Sequence, residues 1–419
     1  MRLQDGKIAL VLAGGGLAGA VYEIGALRAI DDLLVDRTVN DLDIYVGTSA
    51  GALVASCLAN GLSPEAILHA IDGSHPEIRA LERWHVFRFN NREFLRRTLD
   101  LPRILLGAWS HYLRHLDDMN LLDLAMSLTE ALPSGLYDVL ALERYMRRML
   151  SAAGLSNSFR DLERDLYIIA TDLDTGKRAV FGPDEGSDVP ISRAAAASAA
   201  VPLLYKPVRI GDKEYVDGGL RGNASLDLAI EQGAKLVICI NPLVPYDNSD
   251  RECIPFFGPD GGYLSEKGAQ FIASQVMRVV THSSLHYHVK QLRRQHPDVD
   301  IILIEPRPDD YKMFFYNIMR YSSRLTVARH GFESITVDLA EDYPRYKKIL
   351  ARHGVPLSRR LVISELAEIY LSDNDPDVIR RILEARPAGC NRQGRSTPVC
   401  QLTRALAELD LVLDRMEGA

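Results

Sequence analysis

The sequence predicts an α/β protein with a three-layer α/β/α fold on a mostly parallel, doubly wound sheet. One observation is the apolar run Lys7-Ile-Ala-Leu-Val-Leu12, which passes through a glycine cluster into apolar positions at helical spacing, and is then followed by a second run, Leu42-Asp-Ile-Tyr-Val46. A strand, helix, strand unit of that length reads as a right-handed crossover between parallel strands. The other is that further strand candidates alternate with helical patterns along the chain, the arrangement that covers both faces of a sheet.

The first strand, residues 7–12, has the unbroken apolar pattern of a central parallel strand. Ala13-Gly14-Gly15-Gly16-Leu17-Ala18-Gly19 follows, and Ala20, Ile24, Leu27, Ile30 and Leu34 then mark a helix. The second strand runs into Gly47-Thr48-Ser49-Ala50-Gly51, after which Ala52 to Ala59 is small and apolar on all sides, as a buried helix would be. Gly61 ends that helix and Ser63-Pro64-Glu65 starts another. Later strands are expected at 166–171, at 177–181 beyond an Asp174-Thr175-Gly176 turn, and at 214–216, 236–240 and 301–304. Residues 7–340 are expected to form one domain with a helical, arginine- and aromatic-rich insertion at about 80–150. Residues 341–419 read as a helical C-terminal extension, interrupted by a polar loop from Pro387 to Pro398.

Composition narrows the functional classes. The apolar and charged fractions are those of an ordinary soluble protein, and a net charge of −7 argues against a nucleic-acid partner. No apolar stretch approaches the roughly 20 residues of a spanning helix, and the N-terminal run is too short and too glycine-broken for a leader peptide. Membrane contact is therefore expected to be peripheral. The five cysteines show no C-x-x-C spacing; Cys57 and Cys239 lie in apolar runs and read as buried thiols, which suits a reducing cytoplasm. His282, His286 and His288 recur at helical pitch and read as a solvated face, so no metal and no other cofactor is expected.

Gly47-x-Ser49-x-Gly51 between a strand and a buried helix has the form of a nucleophile elbow, in which a sharp turn thrusts the serine outward. The crossover brings Gly14, Gly15 and Gly16 beside it, and their N–H groups, at a helix N-terminus, suit an oxyanion. Gly14-x-Gly16-x-x-Gly19 also fits a dinucleotide fingerprint. That reading wants an acidic residue closing the second strand, where this chain has Val46-Gly47-Thr48-Ser49. A serine of ordinary pKa needs a base. The elbow follows only the second strand, unlike the usual hydrolase triad order, whereas Tyr215-Val216-Asp217-Gly218-Gly219 offers a carboxylate just beyond a short strand.

Together these pieces resemble the patatin-like phospholipase family. The glycine loop, Gly47-Thr48-Ser49-Ala50-Gly51, Ala197-Ser198-Ala199-Ala200-Val201-Pro202 and Asp217-Gly218-Gly219 occur in that family's order over roughly residues 7–340. Ala170-Thr171-Asp172-Leu173 and the strand from Leu236 to Pro242 add to the likeness. The resemblance implies a Ser49–Asp217 dyad, an acyl-enzyme intermediate and hydrolysis of glycerolipid acyl esters, with Gly15 and Gly16 holding the oxyanion and Gly14 and Gly19 completing the loop. A base of this kind should be partly desolvated, with a raised pKa. Two positions depart from the family pattern: Ala18 stands where Arg or Lys is usual, and Ser225 where a proline usually follows Asn223 by two residues.

The expected partner is a lipid. Residues 81–116 interleave Arg83, Arg88, Arg92, Arg96, Arg97, Arg103 and Arg114 with Trp84, Phe87, Phe89, Phe94, Trp109 and Tyr112, a mixture suited to an anionic headgroup boundary or to packing on the main domain. Phe314-Phe315-Tyr316 reads as core or as acyl-groove lining, and the C-terminal helices as docking elements or a homo-oligomer contact. A catalytically silent lipid-binding protein on the same scaffold and a nucleotide-binding protein stand as the rival functions.

Overall fold

The computed structural model describes residues 6–35, 37–114, 132–249, 262–308 and 324–384. Its strands are β1 (Lys7–Leu12), β2 (Ile44–Thr48), β3 (Gly135–Tyr137), β4 (Asp165–Asp172), β5 (Arg178–Phe181), β6 (Leu203–Tyr205), β7 (Val208–Ile210), β8 (Lys213–Asp217), β9 (Ala234–Ile240) and β10 (Asp300–Ile304). An eight-stranded sheet runs in the order β10, β9, β1, β2, β4, β8, β7, with β5 also paired to β4; β3 and β6 pair apart from it. The first five of that order are mutually parallel, whereas β5, β7 and β8 join antiparallel. Every strand expected from the sequence is present, each within two residues of its expected bounds. β3, β6 and β7 were not expected, because three residues are too few to show a period.

The helices are α1 (Gly16–Leu33), α2 (Ala50–Ala59), α3 (Pro64–Asp72), α4 (Arg83–Val86), α5 (Asn91–Arg114), α6 (Leu140–Leu150), α7 (Ile191–Ser198), α8 (Leu226–Glu231), α9 (Ala269–Gln295), α10 (Arg324–Glu341), α11 (Tyr343–Arg352), α12 (Arg360–Leu371) and α13 (Pro376–Glu384). Alternation along the strands sorts them into two layers. Leu10, Leu12, Tyr45 and Ile168 share one core with α1, α2, α3 and α7. Val11, Val46, Ile169 and Cys239 face the other way, against Leu226 and Ala229 of α8 and Leu285, Val289 and Leu292 of α9. The chain leaves β1 for β2 on one side, and later returns to place β9 on the other. A strand order that reverses in this way opens a crevice at the carboxyl ends of the strands, where the glycine loop and Ser49 emerge.

The helices after residue 340 share the first of these cores. Tyr343, Leu350, Val362, Ile369, Ile382 and Leu383 are buried in the same cluster as α1. The backbones of α1 and α10 cross so closely that a Cβ on Gly331 would lie 2.2 Å from the Tyr22 carbonyl oxygen. Arg28 of α1 anchors the far end of this assembly. It pairs with Asp32, stands 3.7 Å from Glu65 of α3 and 3.5 Å from Glu365 of α12, and donates to the Ile382 carbonyl of α13 at 3.3 Å. The Pro387–Pro398 loop, Cys253, Cys390, Cys400 and Phe314-Phe315-Tyr316 lie outside the described residues.

Candidate active site

Strand register brings Ser49 and Asp217 together. Thr48 at the end of β2 is level with Ile169 of β4, and the next residue of β4, Ala170, is paired with Asp217 of β8. Ser49 and Asp217 therefore leave the sheet at the same height with one strand between them. Their backbones are about two strand spacings apart, roughly 10 Å, and their side chains close the gap: Ser49 Oγ donates to Asp217 Oδ2 at 2.5 Å. Both residues are buried, 4% and 7% exposed.

The elbow itself is tight. Ser49 has φ 54° and ψ −121°, a region sparsely populated by L-residues. The turn packs against β1 and its own helix so closely that a Cβ on Gly51 would lie 2.4 Å from the Leu12 carbonyl oxygen, and one on Gly47 would lie 2.5 Å from Ala52 Cα. Ser49 N–H donates to Ser198 Oγ at 2.7 Å, and Ser198 in turn donates to the Ile169 carbonyl at 2.5 Å. These bonds hold the turn against α7 and β4.

Asp217 is equally constrained. Its Oδ1 accepts the Gly219 N–H at 2.7 Å, its carbonyl accepts from Thr171 Oγ1 at 3.0 Å, and its N–H donates to the Ala200 carbonyl. Gly218 sits so near β4 that an added Cβ would meet the Ile169 carbonyl oxygen at 2.3 Å. Burial pushes the Asp217 carboxyl up to about 6, against the opposing pull of its hydrogen bonds from Ser49 and Gly219. A carboxylate with a pKa near 6 is a far better proton acceptor at neutral pH than one near 4.

The glycine loop stands beside this pair, since a Cβ on Gly14 would lie 3.2 Å from Ser49 Cβ. Its four glycines divide by role. Gly14 N–H donates to the Asn223 carbonyl at 3.2 Å, while Asn223 Nδ2 returns a bond to the Gly14 carbonyl. Grouping Gly14 with the oxyanion donors therefore needs correcting: its N–H is already committed to the loop. Gly19 N–H donates to the Gly15 carbonyl, and both glycines lie against Pro242. Gly15 and Gly16 differ, as their N–H groups have no acceptor among the described residues. They sit at the N-terminus of α1, where the helix dipole favours negative charge.

The sequence carried no signal for the contacts of Ser198, Thr171, Asn223 and Asn241. Ser198 and Asn223 lie in motifs that the resemblance singles out, but only the structure assigns what they hold. Asn241, just past β9, accepts from Asn223 Nδ2 at 2.9 Å.

Residues 10–230, more than half of the chain, match the patatin-like phospholipase family. The chain belongs to that family. It is similar to the probable lipid hydrolase 463L of Invertebrate iridescent virus 6, with 21% identity over 222 residues, 53% of this chain and 63% of the viral protein. It is also similar to the uncharacterized protein YqhO of Bacillus subtilis, with 26% identity over 243 residues, 54% of this chain and 68% of that one. The chain thus spans under two thirds of the length of the viral relative. Among solved structures it is similar to VipD from Legionella pneumophila, with a TM-score of 0.40 and 16% identity over 81% of this chain and 68% of that one.

In this patatin-like chain Ala18, where the family usually carries a cation, is half-buried and packs against the core around α1. Ser225 is buried immediately before α8. Neither lies between Ser49 and Asp217, which are bonded directly.

Proposed function

We propose that the protein is a serine acyl hydrolase of phospholipase A or lysophospholipase type, cleaving acyl esters of glycerolipids with Ser49 as nucleophile and Asp217 as base. The observation that carries this reading is the 2.5 Å hydrogen bond between Ser49 Oγ and Asp217 Oδ2, buried beside the glycine loop. Ser49 Oγ attacks the ester carbonyl carbon as its proton passes to Asp217, and the N–H groups of Gly15 and Gly16 receive the oxyanion. Collapse breaks the ester bond, and the departing alcohol takes the proton from Asp217. Water, deprotonated by Asp217, then cleaves the acyl–Ser49 ester and releases a fatty acid. A fluorophosphonate probe should modify the protein at one residue, and peptide mass spectrometry should map it to Ser49. An unlabelled protein, or a label elsewhere, would overturn the reading.

The lipid surface is met, in this proposal, by α4 and α5. Leu95, Leu99 and Leu106 are exposed on one stripe of α5, with Arg92, Arg96 and Arg103 along one border of that stripe. Trp84 and Phe89 are exposed as well, while Phe87 turns inward to an edge-on contact with Tyr137. An apolar stripe flanked by guanidinium groups suits an anionic bilayer, because the rings and leucines enter while the cations meet headgroups. The side chains of Trp109 and Tyr112 lie outside the description. Among the described residues no helix is long and apolar enough to cross a membrane. In a flotation assay the protein should rise with anionic liposomes and remain behind with zwitterionic ones, and Leu95→Asp with Leu99→Asp should abolish the rise. Absence of binding to either vesicle would rule the surface out.

A further inference from the structure

A second cluster of chemically capable side chains stands at the same edge of the sheet, outside the dyad. His282 and His286 are four residues apart on α9 and so project from one helix face. Glu305 follows β10 directly. His286 Nε2 is 2.8 Å from Glu305 Oε2 and His282 Nε2 is 3.5 Å from Glu305 Oε1. One donor atom from each of the three residues lies within 4.8 Å of the others. The sequence reading of these histidines as a solvated face did not include Glu305, which lies 19 residues beyond His286 just past β10.

We propose that His282, His286 and Glu305 form a binding site for one divalent transition-metal ion of the zinc class. Two imidazole nitrogens and one carboxylate oxygen are a donor set that selects zinc or its neighbours over magnesium or calcium, which prefer oxygen alone. Bonds of about 2.0 Å at tetrahedral angles place donors about 3.3 Å apart, close to the 2.8 and 3.5 Å that separate the histidine nitrogens from the Glu305 oxygens. Three protein ligands leave the fourth position open to water or a small anion.

The carboxylate is positioned from behind. Asn241 Nδ2 donates to Glu305 Oε1 at 2.7 Å, and Asn241 N–H donates to the Ile304 carbonyl at 2.9 Å. Asn241 is fully buried, so it fixes Glu305 in the way an outer-shell partner orients a ligand. The same Asn241 bonds Asn223, which bonds Gly14. A continuous hydrogen-bonded path thus joins the proposed metal site to the loop beside Ser49.

The test uses the full chain stripped with a chelator. Titration with Zn2+ in a calorimeter should reach saturation at one equivalent, and Co2+ should give the intense visible bands of a four- or five-coordinate ion. Joint His282→Ala and His286→Ala substitution should weaken Zn2+ binding beyond the roughly 10–100-fold that loss of an outer-shell partner costs. His288→Ala, on the same helix but outside the cluster, should bind as the parent does. His286 is exposed and His282 partly so, and circular dichroism should show an unchanged fold in the double variant. Failure to take up either metal, or equal affinity in the double variant, would overturn the site and leave an ion pair only.

Discussion

Asp217→Asn is expected to slow ester hydrolysis by on the order of a thousandfold while making the folded protein more stable at neutral pH. Asparagine fills the same space, can accept the Gly219 N–H through its oxygen and can donate to Ser49 through its nitrogen, but it cannot take the proton that Ser49 must lose. General-base assistance contributes about 10^2- to 10^4-fold, and that factor is what the substitution removes. The stability gain follows from linkage. Asp217 is raised from 3.8 to about 6 by burial, so between those values the native protein holds a proton that the unfolded chain has released. Wild-type stability consequently falls as pH rises through that window, and by pH 7 the penalty is about 3 kcal/mol at 1.36 kcal/mol per pH unit. The variant carries no such penalty, so its melting temperature should exceed that of the wild type above pH 6 and converge with it below about 4. The same titration should appear in the wild-type kcat/KM as a limb that rises with pH through an apparent pKa near 6. A profile already flat at pH 5, or equal melting curves at pH 7, would contradict the assignment of the buried base.

Arg28→Met is expected to destabilise the fold by about 3–5 kcal/mol, the usual cost of stranding the carboxylates of a buried pair. Arg28 is 1% exposed and is surrounded by Asp32, Glu65 and Glu365, all of which would lose their cation. Burial and the nearby Asp32 push the Glu365 carboxyl up to about 9, against the opposing pull of Arg28. Urea denaturation at pH 7 measures the loss. A difference below about 1 kcal/mol at pH 7 would show that the cluster does not hold the C-terminal helices to α1.

The parts of this molecule that the sequence disclosed are those whose physics is local. From Ile8 to Leu12 β1 shows an unbroken apolar run because both faces of a central strand are buried, and the elbow shows as Gly47-x-Ser49-x-Gly51 because nothing larger fits the turn. Asp217-Gly218-Gly219 alone reads as a turn, and only its place in the order of motifs marks Asp217 as a candidate base. What stayed hidden depends on pairing between distant segments. Ser198 meets the Ser49 amide across 149 residues of chain, and Asn223 meets Gly14 across 209. No spacing rule announces such partners. α11, α12 and α13 carry apolar stripes, yet an amphipathic stripe does not name the surface it covers. Only the structure shows that stripe closing over α1.

The backbone at position 49 has a last consequence. A left-handed φ of 54° in a residue that carries a side chain costs on the order of 1–3 kcal/mol, and glycine would adopt the same angles with little strain. Position 217 carries its own penalty as a sequestered acid. A population of variants screened for heat tolerance alone should therefore accumulate Ser49→Gly and Asp217→Asn, becoming sturdier as it loses its chemistry. Under the proposed dyad, robustness and reactivity pull these two codons in opposite directions.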